Sequence, residues 1–167
     1  MAEFDYSQVS GKKVAELCSR GFYAMDGLWF SLLEEKYGLE DALDIDVRVW
    51  RSLGLVHGKR LLKAFAINKD NPIQALVSMI QADPIQIVYE PEVTTLTDSK
   101  VVFHCNSCPP QQFRIQSGKG ELPCKPVGIA LFTSYAELVS PKVKLSCLTC
   151  PPDPHPAQFW CEWQFEV

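Results

Sequence analysis

The sequence predicts an α+β fold in which N-terminal helices pack on an antiparallel sheet and the C-terminal part is rich in cysteine. Apolar residues recur at three- and four-residue spacing through Gly58 to Ile67, and short β-branched runs begin at Ile85. Six of the seven cysteines lie between Cys105 and Cys161, and none of the twelve prolines precedes Pro72. These observations divide the chain into a helical part over 1–84 and an antiparallel sheet with one helix and the cysteine cluster over 85–167, within one compact domain.

Phe22, Met25, Trp29, Leu32 and Leu33 mark an amphipathic helix, and Leu39, Leu43, Val47, Trp50 and Gly54 mark a second after a break at Gly38. Ser7 is a plausible N-cap for an earlier helical segment, or for the first turns of the Phe22 helix. Leu61, Leu62 and Phe65 belong to a further stretch over Gly58 to Ile67. Pro72 suits the first turn of a short helix that ends near Asp83-Pro84. Ile85 to Tyr89, Val93 to Leu96 and Lys100 to His104 read as strands separated by turn residues. Cys124 to Val139 returns to helical spacing, and Pro141 ends it. Lys142 to Cys147 and the alternating Phe159, Cys161, Trp163, Phe165 and Val167 complete the sheet.

With 167 residues and 47% hydrophobic side chains, the chain can bury a core without help from a metal or a disulfide. Its net charge of −4 and its lack of Lys/Arg runs argue against nucleic acid as a partner. Met1 to Glu16 has no apolar core of a signal peptide, and no run reaches the roughly 18 apolar residues of a membrane span. A cytoplasmic protein with no membrane partner is expected. Thiols stay reduced there, so clustered cysteines read as metal ligands or reactive thiols.

Cys105-Asn-Ser-Cys108-Pro-Pro recurs as Cys147-Leu-Thr-Cys150-Pro-Pro, each copy at the end of an expected strand. Two such turns brought together by a sheet supply a closed four-sulfur site, the usual form of structural zinc; iron or an iron–sulfur cluster ranks second. Cys124, Cys161 and His155 offer more ligands than one ion accepts. The competing readings are a redox or nucleophilic thiol, and thiols that pack as small hydrophobes. Cys18, alone on a helix, reads as core, and His57 and His104 read as structural or surface residues.

Leu122-Pro-Cys-Lys-Pro-Val-Gly128, Cys147-Leu-Thr-Cys-Pro-Pro-Asp-Pro-His-Pro156 and Trp160-Cys-Glu-Trp-Gln-Phe165 resemble the signature of an uncharacterised family of small prokaryotic proteins. The likeness extends to Cys108, Gln111 and Arg114 and to Met25-Asp-Gly-Leu-Trp-Phe30. The ending is similar to that of the 4-vinyl-reductase-type small-molecule-binding domain, related in fold to haem-nitric-oxide sensors and vesicle-tethering subunits. The overall layout is more distantly similar to the L-2-amino-thiazoline-4-carboxylic acid hydrolases, which open a cyclic amidine. This resemblance implies a metal set drawn from Cys108, Cys124, Cys147, Cys150 and Cys161, with Cys124 in place of Cys105.

At 100° per residue, Asp26 falls about 60° from Trp29, and Asp46 lies roughly 20° outside the arc of Leu39, Leu43, Val47 and Trp50. A carboxylate beside a buried face needs a partner or a proton. Asp26, Trp29, Asp46 and Trp50 are therefore candidate ligand-pocket residues, against the plainer reading of carboxylates ion-paired to Arg51, Arg60 or a lysine. Glu34 points about 140° from Trp29 and reads as solvated. No phosphate-binding loop, G-x-S-x-G elbow or H-E-x-x-H helix occurs. The expectation is a zinc-binding module with a small-molecule pocket. The alternatives are a C–N hydrolase, with Cys124 or Cys161 as nucleophile and Asp46 or His155 as base, and an oligomerising interaction protein such as a homodimer.

Overall fold

The structure, a computed structural model, describes residues 5–167, so the first four residues of the segment read for a signal peptide lie outside it. Helix α1 spans Gly11–Tyr37, and α2 spans Leu39–Ala64. Between them Gly38 adopts φ +90, a conformation that favours a residue without Cβ, and its N–H caps α1 by bonding to Glu34 O at 2.9 Å. The α1 N-cap is Ser10, whose hydroxyl accepts from Lys13 N at 3.2 Å; Ser7 lies before it in a short 3-10 turn. The stretch from Gly58 is the end of α2 rather than a separate helix. Helix α3, Pro72–Ala82, begins behind an Asn71 side chain that accepts from Gln74 N.

Residues Gln86–Tyr89 form a 3-10 turn rather than the expected strand. Strands β1 (Pro91–Leu96) and β2 (Lys100–Cys105) follow as a hairpin. Helix α4, Pro109–Gln116, was not expected, since two leading prolines and few apolar residues hide its periodicity. Helix α5 spans Lys125–Val139, and β3 (Lys144–Thr149) and β4 (Cys161–Glu166) complete an antiparallel sheet ordered β1-β2-β4-β3. The 85–167 part thus holds two helices and four strands.

Helix α5 lies between the sheet and α2. Phe103, Trp163 and Phe165 project from the sheet onto Phe132 of α5, and Gly128 lets the helix approach so closely that a Cβ there would stand 2.5 Å from the Trp163 ring. On the opposite side of α5, Gly54 and Gly58 of α2 meet Ser134 and Leu138, with an added Cβ falling at 2.7 and 2.6 Å. Buried Asp83 ties the helices together: it accepts from Ile85 N at 2.8 Å and Tyr135 Oη at 2.7 Å, and faces His57 Nε2 at 2.9 Å. Glu34 is not a solvated carboxylate. It accepts from Arg114 Nη1 at 2.9 Å and Lys119 Nζ at 2.8 Å, which anchors α4 to α1 and holds its carboxyl below the usual range, despite burial acting the other way.

Of the expected apolar stripe of α1, Phe22 and Leu33 pack half-buried against the core, whereas Met25, Trp29 and Leu32 are mostly exposed; Tyr23 and Phe30, outside that stripe, are buried instead. No helix among the described residues is long and apolar enough to cross a membrane.

Candidate functional site

Where α1, α2, α4, α5 and the sheet meet, they enclose a cavity of about 110 Å³. One wall is polar and aromatic, with Tyr23 and Asp26 from α1, Asp46 and Trp50 from α2, and Tyr89. The other is sulfur: Cys105, Cys108, Cys124, Cys150 and Cys161 all border it.

The fold explains this convergence. Cys105 ends β2 and stands directly opposite Cys161 at the start of β4, because β4 inserts beside β2 in register. Cys108 and Cys124 occupy the positions just ahead of α4 and α5, where the positive helix ends favour a thiolate. The first Cys-x-x-Cys-Pro-Pro copy thereby delivers one thiol from a strand and one from a helix start. Cys150 follows β3, and its sulfur lies 3.7 Å from that of Cys124. Cys147 and Cys161 lie close enough to perturb the Cys150 thiol as well, so this buried sulfur has three thiol neighbours. Cys147 reaches this group from β3 without bordering the cavity.

Protons are unevenly held within the group. Cys150 is pushed up by its thiol neighbours and by burial. The neighbouring Cys150 thiol pulls Cys124 and Cys147 down, and the thiols of Cys105 and Cys150 pull Cys161 well down, against burial. Gln111, 1% exposed, contributes through a side-chain amide that donates to Cys124 Sγ at 3.2 Å and to Leu122 O at 2.8 Å, while its oxygen accepts from Leu122 N. Burial raises the thiol of Cys108.

Across the cavity, burial pushes the Asp26 carboxyl up to about 6. Asp46 is pushed up to about 7 by burial and by the charge of Asp26. Neither carboxylate has an ion-pair partner among the described residues, so the Arg51, Arg60 or lysine pairing weighed from sequence is absent: Arg51 instead donates to Ser134 and to Glu137. Two buried donors that border the cavity, Tyr23 Oη and Trp163 Nε1, have no partner in hydrogen-bond geometry among the described residues, although Tyr89 and Cys161 stand close enough to interact with them. Such orphaned groups mark a site shaped to receive a polar atom.

Asp26, Asp46 and Trp50 thus line the cavity as expected. Trp29 does not. It is 65% exposed and borders a separate outer groove between α1 and α2, in whose floor Asp26, Asp46 and Trp50 also take part. His155 stands apart from the cavity, capping the proline-rich turn. Its Nδ1 faces the carbonyls of Pro156 and Phe159 at 3.0 and 3.1 Å, and its Nε2 faces Glu121 at 3.3 Å. Those contacts raise its pKa although burial opposes them. Cys18 is exposed rather than core.

From sequence, Tyr23 reads as an apolar wall of a ligand pocket and Gln111 enters only through the family resemblance; Tyr89 carries no signal, and Trp163 only the alternation that puts it in line with Cys161. Among the described residues no group of three or more His, Cys, Asp or Glu side chains already stands as a metal cage.

Residues 7–167 match a family described as a family of unknown function, DUF6125. No curated protein matches the chain. Among solved structures, the chain is similar to a trafficking protein particle complex subunit 3 from Naegleria fowleri, crystallised covalently bound to palmitic acid. The TM-score is 0.55 at 12% identity, over 93% of this chain and 95% of that one. At that identity the likeness shows the fold alone.

Proposed function

Starting from a chain that belongs to the DUF6125 family, whose function is unknown, we propose that it is a small-molecule-binding module whose sulfur wall holds a soft metal ion, zinc ahead of iron. The observation that supports this is the 3.7 Å approach of the Cys124 and Cys150 sulfurs, with Cys147 and Cys161 close enough to perturb Cys150. With Zn–S bonds of about 2.3 Å, the edge of a four-sulfur tetrahedron is about 3.8 Å. The Cys124–Cys150 separation of 3.7 Å is already that edge. Four neutral thiols in a dry site are poor partners for one another, whereas deprotonated around a cation each is satisfied. Ion binding would draw the other sulfurs inward by side-chain rotation. Gln111 would steady Cys124, and Cys105 and Cys108 would remain as neutral thiols beside the ion.

The 110 Å³ cavity is well below the roughly 300 Å³ at which drug-sized ligand pockets begin. It suits a compact polar ligand that meets the ion on one side and Asp26, Asp46, Tyr23 and Trp163 on the other. The long acyl chain carried by the trafficking subunit is a poor fit to this volume.

The test is metal analysis after purification without chelator, together with melting curves before and after chelation. The expected result is close to one zinc per chain, a lower melting temperature after chelation, and loss of both in Cys150→Ser. Protein that takes up no zinc on reconstitution, and melts identically with and without chelator, would falsify the metal reading. A second reading has one observation in its favour: Cys124, with a lowered pKa at the start of α5, is placed to act as a nucleophile on a C–N bond, as in the hydrolases the layout resembles. In that case one fast-reacting thiol appears in metal-free protein at neutral pH and Cys124→Ser abolishes it, whereas a metal site protects several thiols together.

A further inference from the structure

Helix α1 carries a second apolar face that the described residues do not cover. Val14, Cys18, Gly21, Met25, Leu28 and Leu32 follow at alternating four- and three-residue steps, the a/d spacing of a coiled-coil seam. Val14 is 39% exposed, Met25 58%, Leu28 66% and Leu32 61%, and the flanking Leu17 and Trp29 are more than half exposed. Gly21 has the same character. A Cβ added there meets nothing within 4 Å among the described residues, so this position leaves a notch in the face.

We propose that this seam is an interface with a second copy of the chain, in which two α1 helices pack antiparallel across a two-fold axis. The seam is self-complementary only in that sense. Its N-terminal half is small and its C-terminal half bulky, so antiparallel packing seats Met25 on Gly21, Leu28 on Cys18 and Leu32 on Val14. A parallel arrangement would set glycine against glycine and leucine against leucine, leaving voids beside crowded layers. An antiparallel pair also opposes the two helix dipoles. The exposed seam and its flanks offer on the order of 700 Å² per protomer, close to the roughly 800 Å² per partner of a standard interface. The groove beside it, lined by Trp29, Ile45 and Val49, extends the apolar surface onto α2. An isologous interface requires one patch that matches itself under a two-fold rotation, and this patch does.

Sedimentation of the full chain tests the proposal. The expected species has twice the 18.8 kDa chain mass. Leu28→Glu and Gly21→Trp, both pointing away from the fold, should each weaken the dimer at least about 100-fold while leaving circular dichroism and the melting transition of the monomer intact. Cross-linking reads the direction. Under mild oxidation Leu28→Cys should join to native Cys18 of the other copy, and Cys18→Ser should abolish the link. Wild-type chains should not join through Cys18. A wild-type monomer at about 100 μM, or a dimer unmoved by both seam variants, overturns the interface. A Cys18-to-Cys18 link overturns the antiparallel arrangement.

Discussion

Asp46 and Asp26 stand on neighbouring helices, and both are raised above the ordinary carboxylate range, to about 7 and about 6. Because the native state binds the Asp46 proton more tightly than the unfolded chain, with its ordinary value of 3.8, this group's contribution to stability is complete below about pH 4 and is lost as pH rises through 7. Asp46→Asn removes that loss. The variant should gain stability over wild type as pH rises from 5 to 8, by on the order of 2 kcal/mol in denaturant melts. A difference that stays flat across this range would show that the carboxyl is not held neutral. The wheel that placed Asp26 and Asp46 beside the apolar arc could be drawn from sequence because helical spacing fixes angle. Tyr23 could be read as an apolar wall but not as a polar group, and Trp163 only as core. Their side chains are what any core contains, and only the three-dimensional arrangement reveals that Oη and Nε1 border the cavity with no partner in hydrogen-bond geometry among the described residues. Cys105 was set aside on the resemblance, yet strand register pairs it with Cys161 on the cavity wall. Register is a property of two strands, which neither strand's residues declare alone.

At the level of elements, α5 is the axle of the fold, and glycines set how closely its neighbours approach. At Gly58 an added methyl would meet the Leu138 side chain at 2.6 Å and the Tyr135 ring at 3.2 Å. Gly58→Ala gains helix propensity but forces α2 and α5 apart, so a net loss of about 1–3 kcal/mol is expected in chemical unfolding. An unchanged or raised midpoint would mean that Leu138 yields freely. The long helices were legible because a stripe repeated over many turns outweighs local noise. The failures have local causes. Gln86–Tyr89 is β-branched at two positions, which suggests a strand, but Asp83 captures the N–H of Ile85 and turns the chain before pairing can begin. The exposed side of α1 was read as core because periodicity reports that a face is apolar, not what covers it.

For the whole molecule, the strand order β1-β2-β4-β3 decides which thiols can meet. The duplicated knuckles suggested a site built from two symmetric pairs. In the fold the two copies play unequal parts: Cys147 and Cys150 of the second stand together, and Cys150 finds its other thiol neighbours in Cys124, just ahead of α5, and Cys161 of β4, while Cys105 and Cys108 border the cavity separately. The broad α+β class was readable from the succession of helical and strand textures. The insertion of the last strand between β2 and β3 was not, since nothing in β4 itself distinguishes a central position from an edge beyond its alternating aromatics.

That insertion also imposes an order of events. Strand β4 follows every other element in the chain, yet it lies between two strands already separated by α4 and α5. Until it docks, β2 and β3 have no common partner, Trp163 cannot seat under Gly128, and Cys161 is absent from the sulfur wall. The sulfur group can therefore close only after the most distant contacts have formed, which places it late in folding, where loop closure is most costly. In stopped-flow refolding, zinc should leave the rate of burial of the tryptophans unchanged and slow unfolding instead, the signature of a clasp fastened after the sheet is complete. Refolding accelerated by zinc would mean that the thiols gather first and recruit the strand.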